Sequence, residues 1–373
     1  MTQRNHQQIN HMAHLLTKEE ISMKHAKLTC KSVWSICLLL LLFPFVLFAQ
    51  NEPTVIGGAS KAGTVGAQFL QLGVSARGTA MGESFVALVN DASATYYNPA
   101  ALTEIEGHQA MFNHTNLPGG LSHFFATYVQ PIGTFQALAV SFNVLTTGDM
   151  PVTVAFEGPT GETFSASESA IGLSYARKLT DQFSFGATTK IILEDLGEFS
   201  DQNVAFDVGT LYHTGFRQLN IGMSVSNFGP DINFGEEKDA QGNVIFDGQS
   251  FDLPITFRVG ISVDVMNRTN SKLMLATQIV QPNDNLRYET FGAEYSWMDT
   301  IFLRGGYKLD EEDDNVVDGE NNKIAGANGF AETFSAGVGL KAALKDVTGN
   351  FDFSWVQQDN LNDLIRFSIV LTF

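Results

Sequence analysis

Runs of alternating apolar and small polar residues recur along this chain, and they constrain its fold more than any other feature. In the run Leu138–Val144, apolar residues stand at every second position, with Ala139, Ser141 and Asn143 between them. The same pattern recurs over residues 183–191, 219–226, 257–265, 335–344 and 351–355. Because successive side chains of a strand point to opposite faces, these runs predict β-strands with two unlike faces.

The polar face of these strands separates a membrane barrel from a soluble sandwich. A sandwich usually carries charged residues on its outward face, whereas this face is mostly Gly, Ser, Asn and Thr, which suit a barrel interior. The last strand, Asp363–Phe373, has one wholly apolar set: Ile365, Phe367, Ile369, Leu371 and Phe373. We therefore predict an all-β fold, a transmembrane antiparallel β-barrel of about 14 strands over residues 108–373. Twelve or sixteen strands remain open.

The first 49 residues predict export from the cytoplasm. Lys24, Lys27 and Lys31 precede an apolar run, Val33–Phe48, which ends at Ala49. This is the layout of a secretory signal peptide, and we expect cleavage after residue 49. A retained anchor is the alternative, and residues 1–22 are consistent with translation from an upstream start codon. Both cysteines of the chain lie in this segment, so the remainder has no thiol chemistry.

The charge of the remaining chain excludes nucleic acid as a partner. Removing residues 1–49 takes away five of the 22 basic residues and two of the 40 acidic ones. That leaves 17 basic against 38 acidic residues, a net charge of −21. Phosphate backbones need a basic surface, so we expect outer-membrane lipid rather than nucleic acid around this protein.

The connections between the predicted strands are of two lengths. Residues 180–182 and 298–300 are short, as expected on the periplasmic side of such a barrel. Residues 229–252 and 309–329 are long and polar, and the second is rich in Asp and Glu. We expect the long ones outside the cell. Since EF-hand spacing is absent, we interpret the acidic loop as solvated and expect no metal or other cofactor.

Residues 50–107 lack the alternation of the rest of the chain. Ala and Gly dominate from residue 57 onward, and Asn98–Pro99 is a turn or helix-start signal. A compact unit of short helices could fold into the lumen as a plug, or hatch. A periplasmic extension is the alternative. Arg77 is the only basic residue between Lys61 and Arg177, and we expect it to pair with a lumenal carboxylate or to contact a helix end.

The plug segment carries a family resemblance. The residues that carry it follow Phe69–Leu70 and are Ala76, Arg77, Met81, Gly82, Asn90, Asp91, Asn98, Pro99 and Ala100. Their order resembles the N-terminal signature of the PorV/PorQ family, outer-membrane proteins of the Bacteroidetes group. That family is similar in architecture to FadL fatty-acid transporters, which keep an Asn-Pro-Ala in a hatch that plugs a fourteen-stranded barrel.

The resemblance implies two functions. PorV-type members of the family bind secreted cargo and hand it on in the type IX secretion system, so it implies a monomeric barrel that meets cargo and other secretion-system proteins through its long loops. PorV-like chains tend to have Pro-Asp before the Ala-Arg and Trp before the Asn-Pro; here Val74–Ser75 and Tyr97 stand instead, as in a general family member. The alternative is a FadL-like transporter of hydrophobic small molecules, with a ligand pocket near Met81 and Phe85. A purely structural barrel or adhesin is the third hypothesis.

The residues after position 49 offer few candidates for a catalytic site. Outside the first 49 residues the histidines are His108, His114, His123 and His213, and Ser122 next to His123 would point to the opposite face of a strand. Neither a Gly-x-Ser-x-Gly elbow nor a His-Glu-x-x-His motif occurs. We therefore predict that the protein is not an enzyme.

Overall fold

The barrel and its plug are visible in a computed structural model. It describes residues 63–154, 156, 158–197, 200–216, 218–234, 237–238, 244–246, 248–310, 332–358 and 362–373. The predicted signal peptide, residues 1–49, lies outside this range, as do residues 50–62 of the predicted plug and most of the predicted loop 309–329. Two short helices, α1 (Ala76–Ala80) and α2 (Ala94–Tyr97), come first. The 3₁₀ turns are Gln68–Gln71, Pro99–Glu104 and Pro118–Gly120.

Fourteen antiparallel strands form a closed barrel. In chain order they are β1 (Gln109–Asn116), β2 (Ser122–Ile132), β3 (Gln136–Thr146), β6 (Ser167–Lys178), β7 (Phe183–Asp195), β8 (Ser200–His213), β9 (Asn220–Phe228), β14 (Thr256–Arg268), β15 (Ser271–Pro282), β16 (Tyr288–Trp297), β17 (Ile301–Asp310), β18 (Glu332–Leu344), β19 (Val347–Gln358) and β20 (Leu364–Thr372). Each strand pairs with its chain neighbour, and β1 pairs with β20 to close the ring, with Gln109 opposite Thr372. Closure leaves no sheet edge exposed to lipid.

In the described parts of the connections, six further short strands pair among themselves. They are β4 (Met150–Val154), β5 (Gly158–Phe164), β10 (Ile232–Phe234), β11 (Glu237–Lys238), β12 (Val244–Phe246) and β13 (Gln249–Phe251). All of them belong to connections at one end of the barrel, the end opposite the tight turns at residues 180–182 and 298–300. Barrels of this class carry their longer loops outside the cell, so this end faces outward.

The outer wall is apolar, as the alternation predicts. Leu138, Val140 and Phe142 of β3 are exposed, while Ala137 and Ala139 between them are buried. Exposed aromatic side chains line the short-turn end on separate strands: Tyr128, Tyr175, Tyr212 and Trp297. Such a belt marks a membrane interface. Within the described residues, no helix has the length and apolarity to cross a bilayer.

The lumen is filled by residues 63–107, which we call the hatch. Helix α1 contacts β17, β18, β19 and β20, whereas the turn Pro99–Glu104 contacts β3, β6, β7 and β8. The hatch supplies most of a buried apolar cluster that includes Met81, Phe85 and Tyr97. The predicted fold, a barrel of fourteen strands with a short helical plug in its lumen, is confirmed.

Candidate functional site

Lumenal glycines let the hatch backbone approach the wall closely. Seven described positions share this role, and each faces a hatch residue: Gly186 with Pro99, Gly209 with Asn98, Gly222 and Gly260 with Val86, Gly292 with Met81, Gly306 with Gly82 and Gly337 with Ala80. At each one, a Cβ atom would collide with hatch atoms. The small polar face of the strands is thus the complement of an Ala- and Gly-rich plug.

Arg77 ties the hatch to the wall through a buried charge network. Its Nε and Nη2 donate to the two carboxylate oxygens of Glu294 at 2.8 and 3.0 Å, and its Nη1 donates to Asn90 and Asp91. Arg304 donates to the same Glu294 at 2.6 Å and to Asp352 at 2.6 Å. Burial alone would lower the pKa of Arg77, but the carboxylates of Glu294 and Asp91 raise it, so the guanidinium stays charged.

The Asn-Pro-Ala sequence fixes the lower half of the hatch. The Asn98 side chain donates to the carbonyls of Val86 and Thr210 at 2.8 and 3.0 Å and accepts from the Ala100 N–H at 3.2 Å. That last bond caps the following 3₁₀ turn, and Pro99 begins it with no N–H to satisfy. The three residues therefore join hatch to hatch and hatch to wall.

The Met81–Gly82 pair makes the closest approach to the barrel. Gly82 adopts a positive φ of 62° and lies directly on Gly306, with its N–H donating to Ser335 at 3.0 Å. Met81 is fully buried, like Phe85. Neither side chain lines the cavity described below, so a ligand pocket at Met81 and Phe85 would require the hatch to move, and it stays a prediction.

All nine signature residues lie in the hatch, where Arg77, Asn90 and Asp91 contact one another and the others contact different parts of the hatch and the wall. Ala76 donates its N–H to Ser368 at 3.1 Å, and Ala100 is packed beside Gly186. Asn90 and Asp91 meet Arg77 across the hatch. These contacts hold the hatch in the barrel. Of the two partners predicted for Arg77, the structure shows the lumenal carboxylate.

Glu104 binds the last part of the hatch to the wall near the short-turn end of the barrel. Its Oε1 lies 3.1 Å from Lys178 Nζ and 3.2 Å from His213 Nε2. Burial opposes ionisation of this carboxyl, but the hydrogen bond from His213 and the charges of His213 and Lys178 outweigh it. The pKa of Glu104 is consequently lower than its ordinary value.

A cavity of about 800 Å³, here called the vestibule, lies between the upper hatch and the long connections. The hatch segment 65–73 forms its floor. Its walls carry large apolar side chains from strand ends and connections that are distant in the chain: Leu117, Leu121, Leu145, Leu196, Phe251 and Pro282. The volume falls within the range of sites for small organic ligands, and apolar walls with few polar groups are typical of them.

Charged side chains also border the vestibule. Arg366 donates to Thr79 at 2.7 Å and lies 3.9 Å from a carboxylate oxygen of Glu83. Arg258 donates to Ser226 at 2.7 Å, and its guanidinium lies 5.8 Å from the centre of the Tyr96 ring. On another part of the wall are the carboxylates of Glu168 and Glu194.

Strand β9 leaves the regular ladder beside the vestibule floor. Its pairing with β8 shifts between Phe206 and Val208, and Asn227 has a φ of 64°. The Asn227 N–H donates to Asp207 at 2.8 Å, and Lys190 lies 2.7 Å from the same carboxylate. Beyond this bulge the chain turns inward, and Ile232 joins a second buried cluster with Ala67, Phe69, Leu70, Ala170, Ile192, Ala205 and Leu253.

The sequence did not reveal the vestibule. Its walls come from connections and strand ends that are distant in the chain, and isolated leucines next to turns give no periodic signal. Glu168 and Glu194 stand on the polar face of their strands, and this is the one signal that could have singled them out.

Several solved structures are similar to this chain. The toluene transporter TodX of P. putida is 11% identical, with a TM-score of 0.54 over 81% of this chain and 99% of the other. The CymD monoaromatic hydrocarbon channel is 14% identical, with a TM-score of 0.52 over 81% and 98%. A Pseudomonas aeruginosa FadL homologue is 13% identical, with a TM-score of 0.50 over 80% and 98%.

At these identities the likeness establishes the fold. No protein-family profile and no curated protein sequence matches the chain, so the PorV/PorQ resemblance stays a prediction. The chain has the fold of FadL-type outer-membrane barrels, with the lumen closed by the hatch and the vestibule above it.

Proposed function

We propose that this protein is an outer-membrane transporter that takes up hydrophobic small molecules from the cell surface. The observation that carries the proposal is the vestibule, a cavity of about 800 Å³ with leucine and phenylalanine walls at the outward end. Apolar surface exposed to water in a preformed cavity favours an apolar ligand, because the ligand buries that surface. Transport also agrees with the similar structures, which include the CymD monoaromatic hydrocarbon channel and the toluene transporter TodX.

The hatch closes the direct route through the lumen, so the proposal includes a sideways exit. Ala67 and Phe69 line the vestibule and also belong to the apolar cluster behind the β8–β9 bulge. On the outer wall, Phe206 and Phe228 are exposed where the ladder is interrupted. A ligand would move from the floor of the vestibule past Phe69 and leave toward lipid at this bulge.

Uptake by cells that express variant barrels tests this function. The substitution Leu145→Trp or Leu196→Trp adds bulk to the vestibule wall, whereas Leu173→Trp adds it to the lipid-facing wall. We expect uptake of radiolabelled toluene to fall severalfold with either vestibule variant and to be unchanged with the Leu173 variant. Equal uptake by all variants and by cells without the barrel would refute the proposal.

The type IX secretion role is the second candidate, and the order of the hatch signature from Phe69 to Ala100 supports it. In that role the long connections would meet a cargo domain and other secretion-system proteins in a Bacteroidetes-like outer membrane, with the hatch closed throughout. Purification of the tagged protein from its native membrane tests this candidate. Secreted cargo or a secretion barrel in the purified sample would favour it, and a barrel free of both would count against it.

A further inference from the structure

Two glutamates face each other on the vestibule wall. Glu168 of β6 and Glu194 of β7 are directly paired in the ladder, and both side chains line the cavity. Asp201 of β8 is paired with Glu194 on its other side and adds to the negative potential there. Like charges directly opposite on a sheet are destabilising, so this arrangement needs a proton or a cation to balance it.

Nothing positive in the described part of the chain balances the pair. The Ala67 N–H donates to Glu194 Oε1 at 3.2 Å, and the buried Oε2 has no described hydrogen-bond partner other than the facing Glu168 carboxyl. Glu194 is only 4% exposed. No described lysine, arginine or histidine forms an ion pair with Glu168 or Glu194.

The other charged side chains of the vestibule are already engaged. Arg366 pairs with Glu83 and donates a hydrogen bond to Thr79. Arg258 donates a hydrogen bond to Ser226 and lies over the ring of Tyr96. The remaining two, Asp284 and Lys308, also have partners. Among the described charged groups that line the vestibule, Arg366 Nε also lacks a hydrogen-bond partner, but it is a donor, so the glutamate pair is where a cationic ligand would find acceptors.

The surroundings favour an organic ammonium over a metal ion. Calcium takes six to eight oxygen ligands, and among the described residues no three His, Cys, Asp or Glu side chains group as a metal site. Large apolar side chains adjoin the pair, since Leu145 is the ladder partner of Glu168, and Leu196 and Phe69 line the same cavity. An ammonium on an apolar body would donate N–H bonds to both carboxylates and bury its body against these walls.

We infer that the vestibule selects amphipathic ligands that carry a protonated amine, held between Glu168 and Glu194. This inference rests on the proposed function and adds the class of ligand to it. Bonds to charged groups of this kind correspond to a preference of about tenfold or more over a neutral ligand of the same shape.

Isothermal titration of the full chain in lipid nanodiscs tests the inference with two matched probes. At pH 7, 2-phenylethylamine is protonated, as primary amines are, and 2-phenylethanol is its neutral counterpart of similar shape. We expect the amine to bind about tenfold more tightly than the alcohol. The variants Glu168→Gln and Glu194→Gln, each made singly, should remove that preference and leave the affinity for the alcohol within about twofold.

The matched control is Glu162→Gln, on the exposed β5 strand outside the vestibule, which should behave like the wild type. A gel mobility that still changes when the sample is heated would establish that each variant is folded. Equal binding of the two probes by the wild type would overturn the inference, because the carboxyls would then share a proton, while the hydrophobic transport function would stand. Binding of neither probe would overturn both.

Discussion

The contact between Gly306 and Gly82 offers a sharp test of how tightly the hatch is packed. Gly306 of β17 faces the lumen, and a Cβ atom there would collide with backbone atoms of Gly82 and Met81. Its neighbour Gly305 faces lipid, and a Cβ atom there would meet nothing within 4 Å. Neither glycine has a positive φ, so alanine is free of backbone strain at both positions.

The destabilisation caused by the two substitutions should therefore differ only through the steric collision at Gly306. Overpacking a well-packed interior costs about 1–3 kcal/mol, and the Gly306→Ala collision involves backbone rather than a side chain that could move, so we expect about 3 kcal/mol. The cost of Gly305→Ala should be close to zero. If the hatch releases from the wall as a unit, 3 kcal/mol corresponds to about a hundredfold increase in its opening equilibrium.

Hydrogen exchange of the barrel in nanodiscs, followed by mass spectrometry, measures that change. Peptides that cover residues 76–91 should exchange about a hundredfold faster in Gly306→Ala than in the wild type, and at the wild-type rate in Gly305→Ala. Equal exchange in the two variants would refute the close approach of hatch and wall. Faster exchange throughout the barrel would instead indicate that the substitution unfolds the whole protein.

Three further predictions concern the anchors of the hatch. Glu294→Gln leaves the guanidiniums of Arg77 and Arg304 without their shared carboxylate, so the free energy of unfolding should fall by about 3–5 kcal/mol in denaturant titrations. The control is Asp299→Asn, which breaks the exposed ion pair with Lys341 and should not change that free energy measurably. Asn98→Ala leaves the carbonyls of Val86 and Thr210 and the Ala100 N–H without this partner, and we expect a loss of about 1–3 kcal/mol and faster exchange over residues 98–104; wild-type exchange there would contradict it. The pKa of Glu104 is lowered in the folded protein, so its stabilisation is present above the ordinary glutamate value and is lost as pH falls through the lowered value. Unfolding midpoints between pH 6 and pH 3 should show that loss, and Glu104→Gln should lack this part of the slope.

The barrel could be predicted from the sequence because the alternation of residue types along each strand indicates which side chains face lipid and which face the lumen. In β3, the residues predicted to share one face are exposed and those between them are buried. The small polar face of the strands predicted a barrel interior, and Gly186 and Gly306 fit that prediction because both lie against the hatch. The short strands of the connections were not predicted, since pieces such as β10 and β13 are only three residues long and have no periodicity.

The candidate site was less accessible to sequence reasoning. The signature residues predicted a hatch, but the pairing of Arg77 with Glu294 joins residues 217 apart in the chain, and only the barrel ring order brings them together. The walls of the vestibule come from strand ends and connections that are distant in the chain. The ligand pocket near Met81 and Phe85, which the FadL-like alternative implies, stays a prediction, because both side chains are buried in the closed hatch of this structure.

The most direct test of the account is to locate a bound ligand in the barrel. Crystals soaked with 4-bromophenylethanol would give an anomalous signal at the bromine position. The account predicts a peak inside the vestibule, close to Phe69, Leu145 and Leu196. An empty vestibule, with bromine found only on the lipid-facing wall, would contradict it.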